Sequence, residues 1–142
     1  MIKSSLNDVL LKEVTKSDIE FLYFILKERD PKANISHKKM PTFGEHVKFV
    51  MSKPYKKWYI IYQKNNKIGS AYITNQNEIG IFIKKQRQRS NVGSKALDLL
   101  VELNPQSRYL ANISPRNTQS INFFKKKGFK LIQYTYELIK TN

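Results

Sequence analysis

Residues 86–100 read QRQRSNVGSKALDLL and follow directly on NEIGIFIKK, residues 77–85. The spacing of Val92, Ala96, Leu99, Leu100 and Leu103 predicts a helix that starts near Ser90 or Asn91 and stops at Asn104-Pro105. The apolar run before it predicts a strand, so a strand feeds a basic turn and the turn opens a helix. Such a junction leaves backbone N–H groups without helical partners, and the helix dipole adds positive charge there. The result is an anion site. Ser90, Asn91, Gly93 and Ser94 are small enough to let an anion approach the backbone, and Arg87 and Arg89 add full charges. The turn lacks GxxxxGK[ST], and it keeps one glycine of GxGxxG, so neither of those two phosphate loops is present.

The rest of the chain places this junction in a larger pattern. DVLLKEV (8–14) predicts a first strand. A helix follows over 15–31, with Ser17 and Glu20 as a capping box and Asp30-Pro31 as its stop. A second helix over 42–52 carries a capping box of Thr42 with Glu45. KWYIIYQ and KIGSAYI flank KNN as a hairpin, and NEIGIFI comes after the short turn TNQ. RYLANIS predicts a strand, NTQSINFFKKKG a helix with Asn117 as N-cap and Gly128 just past its end, and FKLIQYTYELI a last strand. The order is β-α-α-β-β-β-α-β-α-β in one domain, 1–142. The first strands form an antiparallel meander, and the crossover after Ile83 makes its flanking strands parallel.

There is no cysteine, which excludes disulfides and cysteine nucleophiles, and two histidines are too few for a histidine-rich metal site. The absence of a long apolar run argues against a membrane span and makes the cytoplasm the expected location. The formal net charge is +15. That charge suits a polyanionic partner, but lysines outnumber arginines 21 to 5. Nucleic-acid surfaces favour the arginine fork, so nucleic acid ranks behind a solvated basic surface and a small phosphorylated ligand.

Two motifs together resemble the GNAT family of N-acetyltransferases. Its turn signature, Q/R-x-x-G-x-G/A, is matched at Gln88 and Gly93, with Asn91 in place of the middle glycine. Asparagine tolerates the left-handed backbone that this position needs. The family's N-x-x-A/S-x-x-x-Y-x-x-x-G-F pattern is matched by Asn117, Ser120, Gly128 and Phe129, with Phe124 at the tyrosine position. The resemblance covers residues 57–138 well and the rest by element order. It implies an α/β (α+β) fold with a mixed sheet of six to seven strands and about four helices. The front of that sheet is antiparallel, and strands 4 and 5 are parallel and splayed. It also implies an acetyl-CoA co-substrate with its pantetheine arm against Ile81, Phe82 and Ile83. The diphosphate would lie on Gln88, Arg89, Ser90, Asn91, Val92, Gly93 and Ser94, with Asn117 and Phe124 at the arm.

Acetyl transfer to an amine needs a base, and the resemblance makes Glu78 the candidate, at the start of the fourth strand. His37 and His46 are alternatives, and the other position used in the family holds Asn112. Phe124 cannot serve as the acid, which leaves Tyr72, water, or unaided departure of the thiolate. Tyr55, Trp58, Tyr59, Tyr62 and Tyr72 are candidates to line an acceptor pocket. The resemblance is strongest to amino-sugar acetyltransferases of bacterial surface-polysaccharide pathways, which implies a small amine acceptor such as a nucleotide-linked amino sugar. Protein acetylation, and a non-catalytic module that binds CoA or nucleic acid, are the alternatives. No metal is implied, and the final strand could pair two copies as a homodimer.

Overall fold

The computed structural model describes residues 8–29, 39–88 and 90–141. Four strands form one antiparallel sheet in the order β1 (Val9–Glu13), β2 (Lys57–Gln63), β3 (Asn66–Ile73), β4 (Ile79–Ile83). The meander follows from its turns. Lys64 and Asn65 between β2 and β3 both have positive φ, 50° and 67°, as a two-residue primed turn requires. Between β3 and β4 the Thr74 side chain accepts from the backbone N–H groups of Gln76 and Glu78, and Asn77 takes φ 64°.

Strand alternation sorts the side chains onto two faces. Tyr59, Ile61, Ala71, Ile73 and Ile79 pack with α3 (Val92–Leu103) and α4 (Thr118–Lys126). Ile60, flanked by Trp58, Tyr62 and Phe82, packs with α1 (Ile19–Glu28) and α2 (Phe43–Met51). Ile60, Ile61, Ile68 and Ile73 are fully buried, and each such side chain stabilises the fold by roughly 1.5–3 kcal/mol relative to exposure.

Several expectations need correction. The box before α1 is Thr15 with Asp18, whose carboxylate accepts from the Thr15 N–H at 2.8 Å, and not Ser17 with Glu20. Asp30 and Pro31 lie outside the described residues. In α3 the buried face is Val92, Ala96, Leu97 and Leu100, while Leu103 is 54% exposed. Among the described residues the sheet has four strands, not six to seven. Residues 108–114 meet the sheet at a single parallel bridge, Glu78 to Leu110, and form no further ladder. Residues 129–141 run without turn, bend or ladder. A strand is defined by its neighbour, and neither segment has one along its length. The parallel sense predicted for the crossover is nevertheless that of the bridge.

The corrected helix face predicts a contrast. Leu100→Ala should cost about 2–5 kcal/mol in urea unfolding, whereas Leu103→Ala should stay within about 0.5 kcal/mol.

Candidate active site

Two hydrogen bonds hold the bridge between β4 and residues 108–114: Ile79 N–H to the Leu110 carbonyl at 2.7 Å, and Leu110 N–H to the Asn77 carbonyl at 2.9 Å. The two runs part beyond it. Because Ile79 faces Leu110, period-two alternation turns the backbone of Ile81 and Ile83 to the same open edge. Phe82 pairs with Ser70 on β3. Of Ile81, Phe82 and Ile83, therefore, Phe82 has its backbone committed to the sheet. The Ile83 carbonyl accepts from Gln88 Nε2 at 2.9 Å, which leaves Ile81 with both backbone groups on the open side.

At the end of β4 the chain makes a short 3-10 turn, Lys85–Arg87, and Ser90 Oγ caps it by donating to the Arg87 carbonyl. Asn91 then takes φ 64°, ψ 7°, and α3 begins. The side chain of Asn91 does not cap α3, and the first helical bond is Lys95 N–H to the Asn91 carbonyl. The amides of Val92, Gly93 and Ser94 thus have no acceptor among the described residues. Val92 itself is buried, 1% exposed, so only its backbone reaches the turn. A methyl group at Gly93 would lie 3.5 Å from the Phe123 ring, which is ordinary contact. The protein's own packing therefore accepts alanine there. Arg87 turns back to Gln63 at 3.2 Å, and Arg89 lies outside the described residues.

Sequence reasoning missed two residues here. Lys127, in the KKK run, donates to Ser94 Oγ at 2.9 Å and pairs with Asp98 at 2.6 Å. Phe123, and not Phe124, is the aromatic beside the turn. Phe124 is 8% exposed and packs edge-on against Phe123 and Phe129 in the core. Asn117 caps α4 by accepting from the Ser120 N–H at 3.2 Å.

On the face toward α1 and α2, Glu78 and Asn112 meet across the split. Asn112 Nδ2 donates to one carboxylate oxygen at 2.5 Å, and Thr74 Oγ1 donates to the other at 3.1 Å. Tyr72 lies on the same face over Gly80, where any Cβ would meet its ring at 2.2 Å. A glycine inside a strand signals such close approach. Tyr72 stacks on Tyr55 at 3.9 Å with planes 6° apart, and Tyr55 meets Trp58 edge-on at 4.8 Å. Arg29, at the end of α1, sits over the Phe82 ring at 4.5 Å.

Burial raises the Tyr72 phenol above its ordinary pKa; the Arg29 charge opposes this and Glu78 adds to it. Burial likewise raises Tyr55. Both phenols stay protonated at neutral pH, so Tyr72 can donate a proton but cannot act as a phenolate. Of the other predicted aromatics, Tyr59 is buried on the opposite face, and Tyr62 carries Lys12 at 4.9 Å over its ring. A cavity of about 380 Å³ opens beside the cluster, lined by Tyr55 and Trp58 together with Glu13, Lys16, Lys53 and Lys56.

His37 lies outside the described residues. His46 is 4% exposed, with its ring 5.2 Å from Tyr23, so it belongs to the packing of α2 on α1.

The family profile described as "Acetyltransferase (GNAT) family" matches residues 19–129. No curated protein matches the sequence. Among solved structures, a domain from Methanocaldococcus jannaschii is 25% identical, with TM-score 0.76, covering 91% of this chain and 92% of its own. A ribosomal alpha-N-protein acetyltransferase in complex with coenzyme A is 16% identical, with TM-score 0.71 and coverage of 89% and 82%. An aminoglycoside acetyltransferase in complex with coenzyme A is 22% identical, with TM-score 0.65 and coverage of 86% and 84%. The chain belongs to the GNAT family; it is an N-acetyltransferase that draws its acetyl group from acetyl-CoA. The particular likeness to amino-sugar enzymes is not supported, because the similar structures span protein and aminoglycoside acetyltransferases.

Burial holds the His46 pKa below its ordinary value, against a hydrogen bond to the Ile19 backbone. The unfolded imidazole therefore takes up a proton first as pH falls below about 6.5, and stability drops through that window. Thermal unfolding from pH 7.5 to 5.5 should show this loss, and His46→Gln should flatten it.

Proposed function

We propose that the open edge of β4, the turn into α3 and the Glu78–Asn112 pair form one acetyl-transfer cleft for a small primary amine. The observation that carries this reading is their convergence: the unpaired backbone of Ile81 lies between an anion-accepting turn at one end of β4 and a carboxylate at the other. Acetyl-CoA supplies a thioester as acyl donor. The amides of Val92, Gly93 and Ser94 hold its diphosphate, with Lys127 Nζ adding charge beside Ser94. Gln88, through its bond to Ile83, fixes the turn against the strand. Ile81 pairs with the pantetheine arm in the manner of an added strand, and the Nδ2 of Asn117 reaches it from the start of α4.

Glu78 takes the proton from the incoming amine. Thr74 and Asn112 hold the carboxylate in one orientation, so its lone pairs point across the split. Tyr72, protonated at neutral pH, donates its proton to the departing sulfur and recovers one from the Glu78 carboxyl, so the amine's proton ends on the thiol. Tyr72 thereby replaces the tyrosine absent at Phe124.

For the acceptor we favour an amino sugar carried on a nucleoside diphosphate. The flat Tyr55, Tyr72 and Trp58 rings suit a sugar or base face, and Lys16, Lys53 and Lys56 line the adjoining cavity with positive charge. The test is thiol release from acetyl-CoA with a nucleoside-diphosphate amino sugar, the free amino sugar, a polyamine and an N-terminal peptide as rival acceptors. The nucleotide-linked sugar should be turned over best. Faster turnover of peptide or polyamine would reject the acceptor while leaving the cleft intact.

Two substitutions separate the ends of the cleft. Glu78→Gln should lower kcat by about 10²–10⁴-fold and leave acetyl-CoA affinity unchanged in calorimetry. Gly93→Val should abolish the thermal stabilisation by acetyl-CoA, which at about 100 times Kd is roughly 2.7 kcal/mol, in a protein that otherwise unfolds as a folded domain.

A further inference from the structure

The turn between β4 and α3 starts with a residue that cannot cap it. Lys84 stands at the N-cap of the 3-10 turn Lys85–Arg87, and its side chain makes no cap bond. A lysine side chain carries only donors, whereas the first amides of a helical turn need acceptors. Three neighbouring amides stay within the sheet and the turn. That of Lys84 donates to the Ile68 carbonyl on β3 at 2.8 Å, and those of Arg87 and Gln88 donate back to the carbonyls of Lys84 and Lys85. The amide of Lys85, the first residue of the turn, donates to Glu28 Oε1 at 3.1 Å. The cap is therefore imported from the last residue of α1, 57 positions away in the sequence.

Glu28 is half-buried, and the next residue holds the same end of the sheet: Arg29 lies over the Phe82 ring at 4.5 Å. Two adjacent residues thus fix the end of α1 against the end of β4, one at the backbone of the turn and one at a side chain. The start of α1 is anchored too, where Asp18 pairs with Lys67 of β3 at 2.7 Å. A carboxylate is an unexpected partner for this turn, because its charge repels a diphosphate bound nearby. Any help that Glu28 gives to binding comes through the geometry it fixes, and that geometry has to outweigh its charge.

We propose that Glu28 is a positioning residue for acetyl-CoA: by capping Lys85 from α1 it holds the turn in the conformation that aims the amides of Val92, Gly93 and Ser94 at the diphosphate. The inference rests on the reading of this turn as the diphosphate site. Between Lys85 and those amides the chain passes through Ser90, whose hydroxyl donates to the Arg87 carbonyl, and Asn91, at φ 64°. A short 3-10 turn has few and poorly aligned hydrogen bonds of its own. Releasing its first amide therefore lets Arg87 move, and Ser90 and Asn91 move with it. Two ties remain, from Gln88 to the Ile83 carbonyl and from Arg87 to Gln63. They secure the end of the turn as Glu28 secures its start, so losing Glu28 loosens the site without dismantling it. A site whose donors must be aimed to within about 0.5 Å is sensitive to such loosening.

The test is calorimetry on the full chain with coenzyme A, and with pantetheine, which lacks the diphosphate, by displacement of coenzyme A. Glu28→Ala removes both the cap and the charge, whereas Glu28→Gln removes the charge and keeps an oxygen that accepts. Glu28→Ala should raise Kd for coenzyme A about three- to tenfold, leave Kd for pantetheine unchanged, and make the Lys85 amide exchange faster with solvent. Glu28→Gln should restore the slow amide and bind coenzyme A at least as tightly as the unaltered protein, since the repelling charge is gone. If both variants bind coenzyme A as well as the unaltered protein or better, Glu28 acts as a charge alone and the proposal is overturned. An equal loss for pantetheine, the sign of a cleft disturbed as a whole, overturns it too. Gly93→Val in the same series separates the premise from the inference. If it weakens coenzyme A and Glu28→Ala does not, the turn holds the diphosphate without help from Glu28; if neither does, the reading of the turn falls together with the proposal.

Discussion

The site hangs on one pair of hydrogen bonds, the exchange of N–H and C=O between Leu110 and the turn into β4. Among the described residues, 108–114 form no other backbone bridge to the sheet. Had the pairing continued, the backbone of Ile81 would be consumed by a ladder. Had it been absent, Asn112 would not reach Glu78. A single bridge gives both a fixed separation and an open edge. Leaving an amide unsatisfied in a dry interior costs about 1–3 kcal/mol. Such an edge persists where water, a ligand or another strand can satisfy it, which makes an incomplete ladder a place to look for binding.

The bridge also explains how the two faces divide the work. Alternation sends Ile79, Tyr109, Ala111 and Ile113 into the core under α3 and α4. It sends Glu78, Asn112, Tyr72 and Phe82 to the face under α1 and α2. Gly80 is what lets that face be used. Any side chain there would strike the Tyr72 ring, and the phenol would leave its place over the strand. Arg29 then sits over Phe82 at the far end of the cluster, opposite in charge to Glu78. The face therefore offers aromatic surface between a cation and an anion, which suits a polar ligand with an amine at one end.

Much of this was legible because the local signals were strong. Thr42 with Glu45, Asn117 as a cap and Gly128 at φ 95° stand where their chemistry predicts. Asn91 adopts the left-handed backbone that its place in the turn motif demanded. The errors came where tertiary context decided. Leu103, in the last turn of α3, fits the helical period but is exposed, while Leu97, which that spacing passed over, is buried. Phe124 matched a motif position, yet the neighbouring Phe123 faces the turn. Asn112 carries no signal of its own, because its role exists only once Glu78 lies across from it. Lys127 looked like one more surface lysine until α4 brought it to Ser94 and Asp98.

The missing strands are the most informative of these differences. RYLANIS and FKLIQYTYELI have the β-branched and aromatic composition of strands, and that reading of composition stands. What a sequence cannot specify is the neighbour, and a strand without a neighbour forms no ladder. One of these runs keeps a core-packed side and an unpaired edge, and the other keeps an apolar side in water. Each has what the other lacks, yet they do not meet within one chain. Among the described residues the sheet therefore stops at four strands, and the wall opposite β4 is tied to it at one bridge. The backbone of residues 109–113 thus faces β4 at Leu110 and an open edge at the residues on either side, so one short run both fixes the split and leaves it unsealed.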